Sequence, residues 1–198
     1  MKVFGLTGGV GMGKSAASEW LLRKHIPVID TDSLARKVVE PGSPVLKEIE
    51  QAFGANCIDA MGCLRRETLA AIVFSDPVAR QTLESITHPV IRKLWKTQVE
   101  SWRAECLPLG VVVIPLLFET GAEQELDATV CIACSAASQQ KRLADRGWSP
   151  LQIEQRLAAQ WPIHQKIAKA NFVAWSEGPL DVLGAQLERI FEDAGARD

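Results

Sequence analysis

The sequence predicts an α/β fold, a parallel sheet of about five strands with helices packed against it. Two observations lead there. The glycine-rich loop GGVGMGKS (residues 8–15) lies between a short apolar run (3–6) and an alanine- and leucine-rich segment (16–22), a strand–loop–helix pattern. LGVVVIP (109–115) is apolar and largely β-branched throughout, as a central parallel strand covered on both faces should be.

Composition bounds the function. The chain has 198 residues, 47% of them apolar, and a net charge of −2. A sizeable core is possible, and no overall basic field points to nucleic acid, so anion binding must come from local groups. No apolar run reaches the roughly 18 residues of a membrane span. The five cysteines are an odd count, and the N-terminus reads as a strand and a glycine loop, not as a signal-peptide core. Reduced thiols and a cytoplasmic setting are therefore expected. Cys131 and Cys134 form a lone C-x-x-C on a strand; residues three apart there face opposite sides, so joint metal ligation is not expected. The oligomeric state is left open.

The glycine loop fits G-x-x-x-x-G-K-[ST] at Gly8, Gly13, Lys14 and Ser15. Such a loop aims several backbone N–H groups at one anion, and the following helix adds its positive end. Lys14 can reach the β- and γ-phosphates of a nucleotide, and Ser15 can ligate Mg²⁺. Residues 26–29 read as a second buried strand, ending in Asp30-Thr31-Asp32. Ligands bind beyond the carboxyl ends of strands in open α/β sheets, so at least one of the two carboxylates is expected to serve the site. Capping of a helix that starts at Ser33 accounts for only one.

Residues 42–108 read as a helical insertion, with helices over 45–53, 64–74 and 77–86. A further long helix is expected to open at His88-Pro89, with proline in the first turn. Its apolar face is Ile91, Leu94, Trp95, Val99 and Trp102. Arg66, at a helix start beside a loop, is an anion-contact candidate; on sequence alone His88 is a cap or core residue. Glu119 falls beyond the third strand, where a cap, a surface charge and a ligand contact all remain open. The fourth strand is 127–133, followed by a helix over 135–145 that carries Arg142 and Arg146 on one face. Lys141, Lys166 and Lys169 read as solvated charge. The arginines suit a lid, over about 138–168, that closes on phosphates and excludes water. Residues 171–175 form a last strand. Pro179 opens a final helix with an apolar stripe at Leu180, Leu183, Leu187, Ile190 and Phe191, and the tail from Asp193 is expected to fray.

Taken together these pieces resemble the dephospho-coenzyme A kinase family over most of the chain. The matching stretches are GLTGGVGMGKS (5–15), DTDSLARKVVEPGSP (30–44), Leu64-Arg65-Arg66, His88-Pro89, PLLFE (115–119), and Arg142, Arg146, Arg156 and Gln160. The resemblance implies a P-loop kinase three-layer fold with a helical substrate-binding insertion and a helical lid. It implies transfer of the ATP γ-phosphoryl group to the ribose 3′-hydroxyl of dephospho-coenzyme A, with Mg²⁺. On that reading Gly11, Met12, Gly13, Lys14, Ser15 and Ala16 wrap the phosphates, and Arg142 and Arg146 close over ATP. Asp32 is the catalytic carboxylate, favoured over Asp30, while Arg66, His88, Leu116 and Glu119 hold the acceptor. Three positions depart from the family pattern. Ala16 stands where many members have threonine, Asn171 where Asp is usual, and Ser176 where Asn is usual. The last two fall in the stretch expected near the adenine. Rival readings are another P-loop kinase for a small, nucleotide-type acceptor and a GTPase-like switch; the N-K-x-D motif of the second is not found.

Overall fold

A computed structural model of the chain describes residues 1–196. It divides into two compact units, Met1–Asp30 with the chain from Val99 onward, and Thr31–Gln98. The helical stretch read at 42–108 overlaps the second unit over residues 42–98.

The first unit is built on a parallel five-stranded sheet in the order β2-β3-β1-β4-β5. The strands are β1 (Lys2–Thr7), β2 (Val28–Asp30), β3 (Leu109–Val113), β4 (Ala128–Ala133) and β5 (Phe172–Trp175). Val3, Phe4 and Leu6 of β1 have no exposed surface, and every residue of β3 is buried, which explains why these runs are apolar without alternation. β2 starts two residues later than the sequence suggests. The Ile26 N–H bonds back to the Leu21 carbonyl, closing the preceding helix, and is thereby withdrawn from the sheet. Register aligns the carboxyl ends: Asp30 and Leu6 both pair with Val113, and Thr7 pairs with Cys131. Strand order reverses at β1, so the loop after β1 leaves from the switch point of the sheet, where such folds bind ligands.

One face of the sheet is covered by α1 (Lys14–Arg23) and α9 (Leu180–Asp193). Leu183, Leu187, Ile190 and Phe191 are buried, and Phe191 meets Phe4 edge-on at 4.9 Å between ring centroids. The chain stays packed beyond α9. Ala196 is buried and its N–H bonds to the Phe191 carbonyl, so the expected fraying from Asp193 is not seen; residues 197–198 lie outside the described residues. Gly184 of α9 faces Trp20 of α1, and a Cβ there would stand 2.0 Å from the indole nitrogen. Gly184→Ala should therefore destabilise the protein by about 1–3 kcal/mol through overpacking, although alanine is the better helix former; a thermal melt checks this.

The second unit has its own core, including Val38, Val45, Leu46, Ile49 and Leu69. Its elements are α2 (Thr31–Lys37), α3 (Pro44–Phe53), α4 (Arg66–Ser75) and most of α5 (Pro77–Ala104). Ser43 caps α3, its Oγ accepting from the Leu46 N–H at 3.1 Å. His88-Pro89 does not open a helix: Pro89 lies inside α5. Proline forfeits one i→i−4 hydrogen bond there. Leu83, Ile86, Val90 and Ile91 pack on the same core from both sides of it and hold the helix continuous.

The basic stretch after β4 resolves into α6 (Ala136–Asp145), α7 (Pro150–Ala158) and α8 (Ile163–Lys169). Ser149 and Gln152 form a reciprocal capping box at the start of α7. Among the described residues, no helix is long and apolar enough to cross a membrane. All five cysteines are free; Cys57, Cys131 and Cys134 are buried and Cys106 is exposed. Burial pushes the Cys131 thiol up to about 11 against the pull of Lys166 and Lys14, and burial also raises Cys134. Since the thiolate is the reactive form, Cys106 should label within minutes with a thiol reagent at pH 8, while Cys57, Cys131 and Cys134 wait for denaturant. Mass mapping of the labelled peptides checks the order.

Candidate active site

The loop between β1 and α1 is shaped by its glycines. Gly13 caps α1 at φ +94°, and a Cβ there would come 2.6 Å from Ser176 Oγ, so the position demands glycine twice over. α1 then begins at Lys14, with no acidic residue in its first turn to repel an anion. The first intrahelical bond runs from the Ala17 N–H to the Gly13 carbonyl. The N–H groups of Lys14, Ser15 and Ala16 are thus left at the positive end of the helix. Lys14 Nζ folds back over the loop, donating to the carbonyls of Gly8 (2.7 Å) and Gly9 (2.9 Å). Ser15 is exposed, whereas Ala16 packs its methyl against the core and offers the site only its N–H.

α6 and the segment after β5 close around this loop. Arg142 Nη1 donates to Ser176 Oγ (2.8 Å) and to the Gly11 carbonyl (3.4 Å), and its Nη2 donates to the Ser176 carbonyl. The buried Ser176 hydroxyl in turn donates to the Met12 carbonyl at 2.8 Å. Serine at 176 therefore ties the glycine loop, α6 and the end of β5 into one network. The adjacent Glu177 accepts from the Ser135 N–H and from Ser138 Oγ. The Ser135 backbone N–H, followed by the serine hydroxyls, holds this exposed carboxyl below its ordinary value.

Arg146 does not join Arg142. α6 ends at Asp145, and Arg146 turns with Arg156 toward Trp148, their guanidinium carbons 5.8 and 4.2 Å from the ring centroid. Asn171, expected beside Ser176 near the base, sits at the opposite end of β5. Its Oδ1 accepts from Thr129 N–H and Oγ1 at 2.9 Å each, stapling β5 to β4. That departure from the family pattern is spent on the sheet.

Beyond β3 the chain turns through PLLFE. The Leu116 carbonyl accepts the Thr120 hydroxyl at 2.8 Å, and the Leu116 side chain is half-buried. Glu119 Oε1 accepts from the Trp161 N–H (2.8 Å) and from Lys166 Nζ (2.8 Å). Lys166 was expected on the surface, yet its side chain is 0% exposed and also donates to the Pro115 carbonyl at 2.6 Å. The signal was in the helix period: Lys166 shares with Ile163 and Ile167 the i, i+3, i+4 stripe that turns inward. Glu119 is thus half of a buried ion pair that fixes the PLLFE turn to α8.

In the helical unit, Asp32 is exposed in the first turn of α2, one position into the helix and not before it. Arg66 opens α4 and donates to the Arg36 carbonyl at 3.4 Å, joining the start of α4 to the end of α2. His88 is half-buried in mid-helix.

A P-loop at a helix N-terminus says phosphate; relatives say which reaction. The profile of the family described as "CoaE: Dephospho-CoA kinase" matches residues 2–181. The chain is 41% identical over 194 residues to dephospho-CoA kinase of Anaeromyxobacter dehalogenans, covering 98% of this chain and 92% of that one. Among solved structures, it superposes on a Thermus thermophilus protein with a TM-score of 0.84 at 32% identity, covering 97% of both chains. It superposes on dephospho-CoA kinase from Campylobacter jejuni with a TM-score of 0.69 at 25% identity, covering 96% of both. With its profile matched over nearly its whole length and its P-loop α/β architecture shared with solved relatives, the chain belongs to the dephospho-CoA kinase family, which catalyses the last step of coenzyme A synthesis.

Proposed function

We propose that the P-loop holds the triphosphate of ATP and that the γ-phosphoryl group passes in line to the ribose 3′-hydroxyl of dephospho-coenzyme A. The acceptor oxygen forms a bond to the γ-phosphorus as the bond to the β–γ bridging oxygen breaks, giving ADP and coenzyme A. The observation that carries this is the unshielded N-terminus of α1, reached from the switch point of the sheet, in a chain of this family. Residues 11–16 wrap the phosphates, with the N–H groups at the start of α1 aimed at them, and Lys14 offsets charge as it shifts to the leaving oxygen. Arg142, already anchored on Ser176, steadies the nucleotide; Arg146 has the weaker claim.

Asp32 orients the hydroxyl and takes its proton as attack proceeds. Chain continuity supports the role, since β2 ends on the ligand-binding edge at Asp30, two residues before it. Arg66, His88, Leu116 and Glu119 are the acceptor contacts on this reading, with Glu119 acting by shaping the turn that carries Leu116. Ser15 fits a magnesium ion: its exposed hydroxyl is a hard oxygen ligand at the helix start and takes no side-chain partner among the described residues. Bound there, Mg²⁺ would offset the negative charge of the phosphates. Five free cysteines suit the reducing cytoplasm.

A panel of acceptors with γ-labelled ATP tests the substrate. Dephospho-coenzyme A should exceed nucleoside monophosphates in kcat/KM by about 10³ or more, since a site built for polar contacts rejects acceptors that leave them unpaired. A nucleoside monophosphate as the better acceptor would overturn the assignment.

A further inference from the structure

Val10, at the tip of the P-loop, has both of its backbone polar groups taken by side chains. Its N–H donates to Gln160 Oε1 at 3.1 Å, and its carbonyl accepts from Gln139 Nε2 at 2.7 Å. Gln139 comes from α6, and Gln160 follows the end of α7. The two partners fix the amide orientations: an N–H accepts nothing, so Gln160 must present oxygen, and a carbonyl donates nothing, so Gln139 must present nitrogen. Gly11 supports the same contact, for it has φ +76° and a Cβ there would meet Leu143 Cδ2 at 2.9 Å and Gln139 Cγ at 3.5 Å. α6 thus occupies the outer side of the loop. An apolar cleft of about 650 Å³ adjoins the bracket, lined by Gly9, Met12, Gln139, Ile153, Leu157 and Gln160 among others.

We infer that Gln139 and Gln160 are positioning residues for ATP. They hold the loop tip so that the Val10 N–H is kept from the phosphate site and the N–H groups of Lys14, Ser15 and Ala16 are left to converge on it. The inference rests on the reading that the P-loop binds ATP. Without the bracket, the tip peptide can rotate, and ordering it is added to the cost of nucleotide binding.

The chemistry of the two contacts makes opposite demands, which provides the test. Binding of ATP is measured by calorimetry, and KM for both substrates by steady-state assay, for Gln139→Ala, Gln139→Glu, Gln160→Ala and Gln160→Glu. Each alanine should raise Kd and KM for ATP by about 3- to 10-fold, the worth of one hydrogen bond, with KM for the acceptor unchanged. Glutamate at 160 still accepts from the Val10 N–H and should bind ATP more tightly than alanine at 160. Glutamate at 139 sets a carboxylate against the Val10 carbonyl and should bind more weakly than alanine at 139. General repulsion of phosphate by added charge, or a packing role, would order the two sites alike. Should Q139E fail to fold, Gln139→Met removes the donor at similar length and should match Q139A. The same ordering at both sites, unchanged ATP affinity, or an equal rise in both KM values would overturn the inference. A wild-type protein that binds no ATP would instead overturn the underlying reading of the P-loop.

Discussion

Asp32→Asn should lower kcat by about 10²–10⁴ while ATP affinity stays within about twofold of wild type. Asparagine keeps the size and a hydrogen-bonding oxygen but cannot take the proton that leaves the 3′-hydroxyl. Asp32 is exposed in the first turn of α2. Rapid-quench turnover and calorimetric ATP titration on one preparation separate the two quantities. A kcat within about threefold of wild type would remove Asp32 from proton transfer, and Asp30→Asn would then be the variant to measure.

Lys166→Met should be the most damaging exchange for stability. The Lys166 side chain is 0% exposed and that of Glu119 15%, so removing the ammonium strands a carboxylate in the interior. Such breaks cost about 3–5 kcal/mol. At about 2–4 °C per kcal/mol for a chain of this size, the melting temperature should fall by roughly 6–20 °C. Adding Glu119→Leu removes the stranded charge and should restore much of the loss, because replacing both members of a buried pair by apolar groups is far milder than removing one. A single variant that melts within about 2 °C of wild type, or a double variant worse than the single, would show that the pair is not what fixes the PLLFE turn.

What was legible in the sequence follows from the physics of each element. β1 and β3 are buried on both faces and so carry unbroken apolar runs, at 3–6 and 109–113, and β4 carries one at 130–133. The P-loop was legible because its geometry demands glycine at fixed places. Less local features were not. The sequence suggests a β2 that starts two residues early because Ile26 and Pro27 are as apolar as the strand itself; only the bond from Ile26 back to Leu21 separates them. The break expected at Pro89 was overridden by packing on both sides of it. Lys166 read as surface charge because its partner, Glu119, lies far away in sequence. Arg142 and Arg146 share a face only while the helix lasts, and α6 stops at Asp145. The tie from Ser176 to Met12 and Arg142 joins three separate segments, and no periodicity announces it.

The most direct test of the central claim uses the purified protein with ATP, Mg²⁺ and dephospho-coenzyme A, following the products by mass spectrometry and ³¹P NMR. The account predicts ADP and coenzyme A in equal amounts, the new phosphomonoester on the ribose 3′ position, and no ADP release at comparable rate when the acceptor is omitted. Folded protein that binds ATP yet forms no coenzyme A, or that places the phosphoryl group at another position, would contradict it.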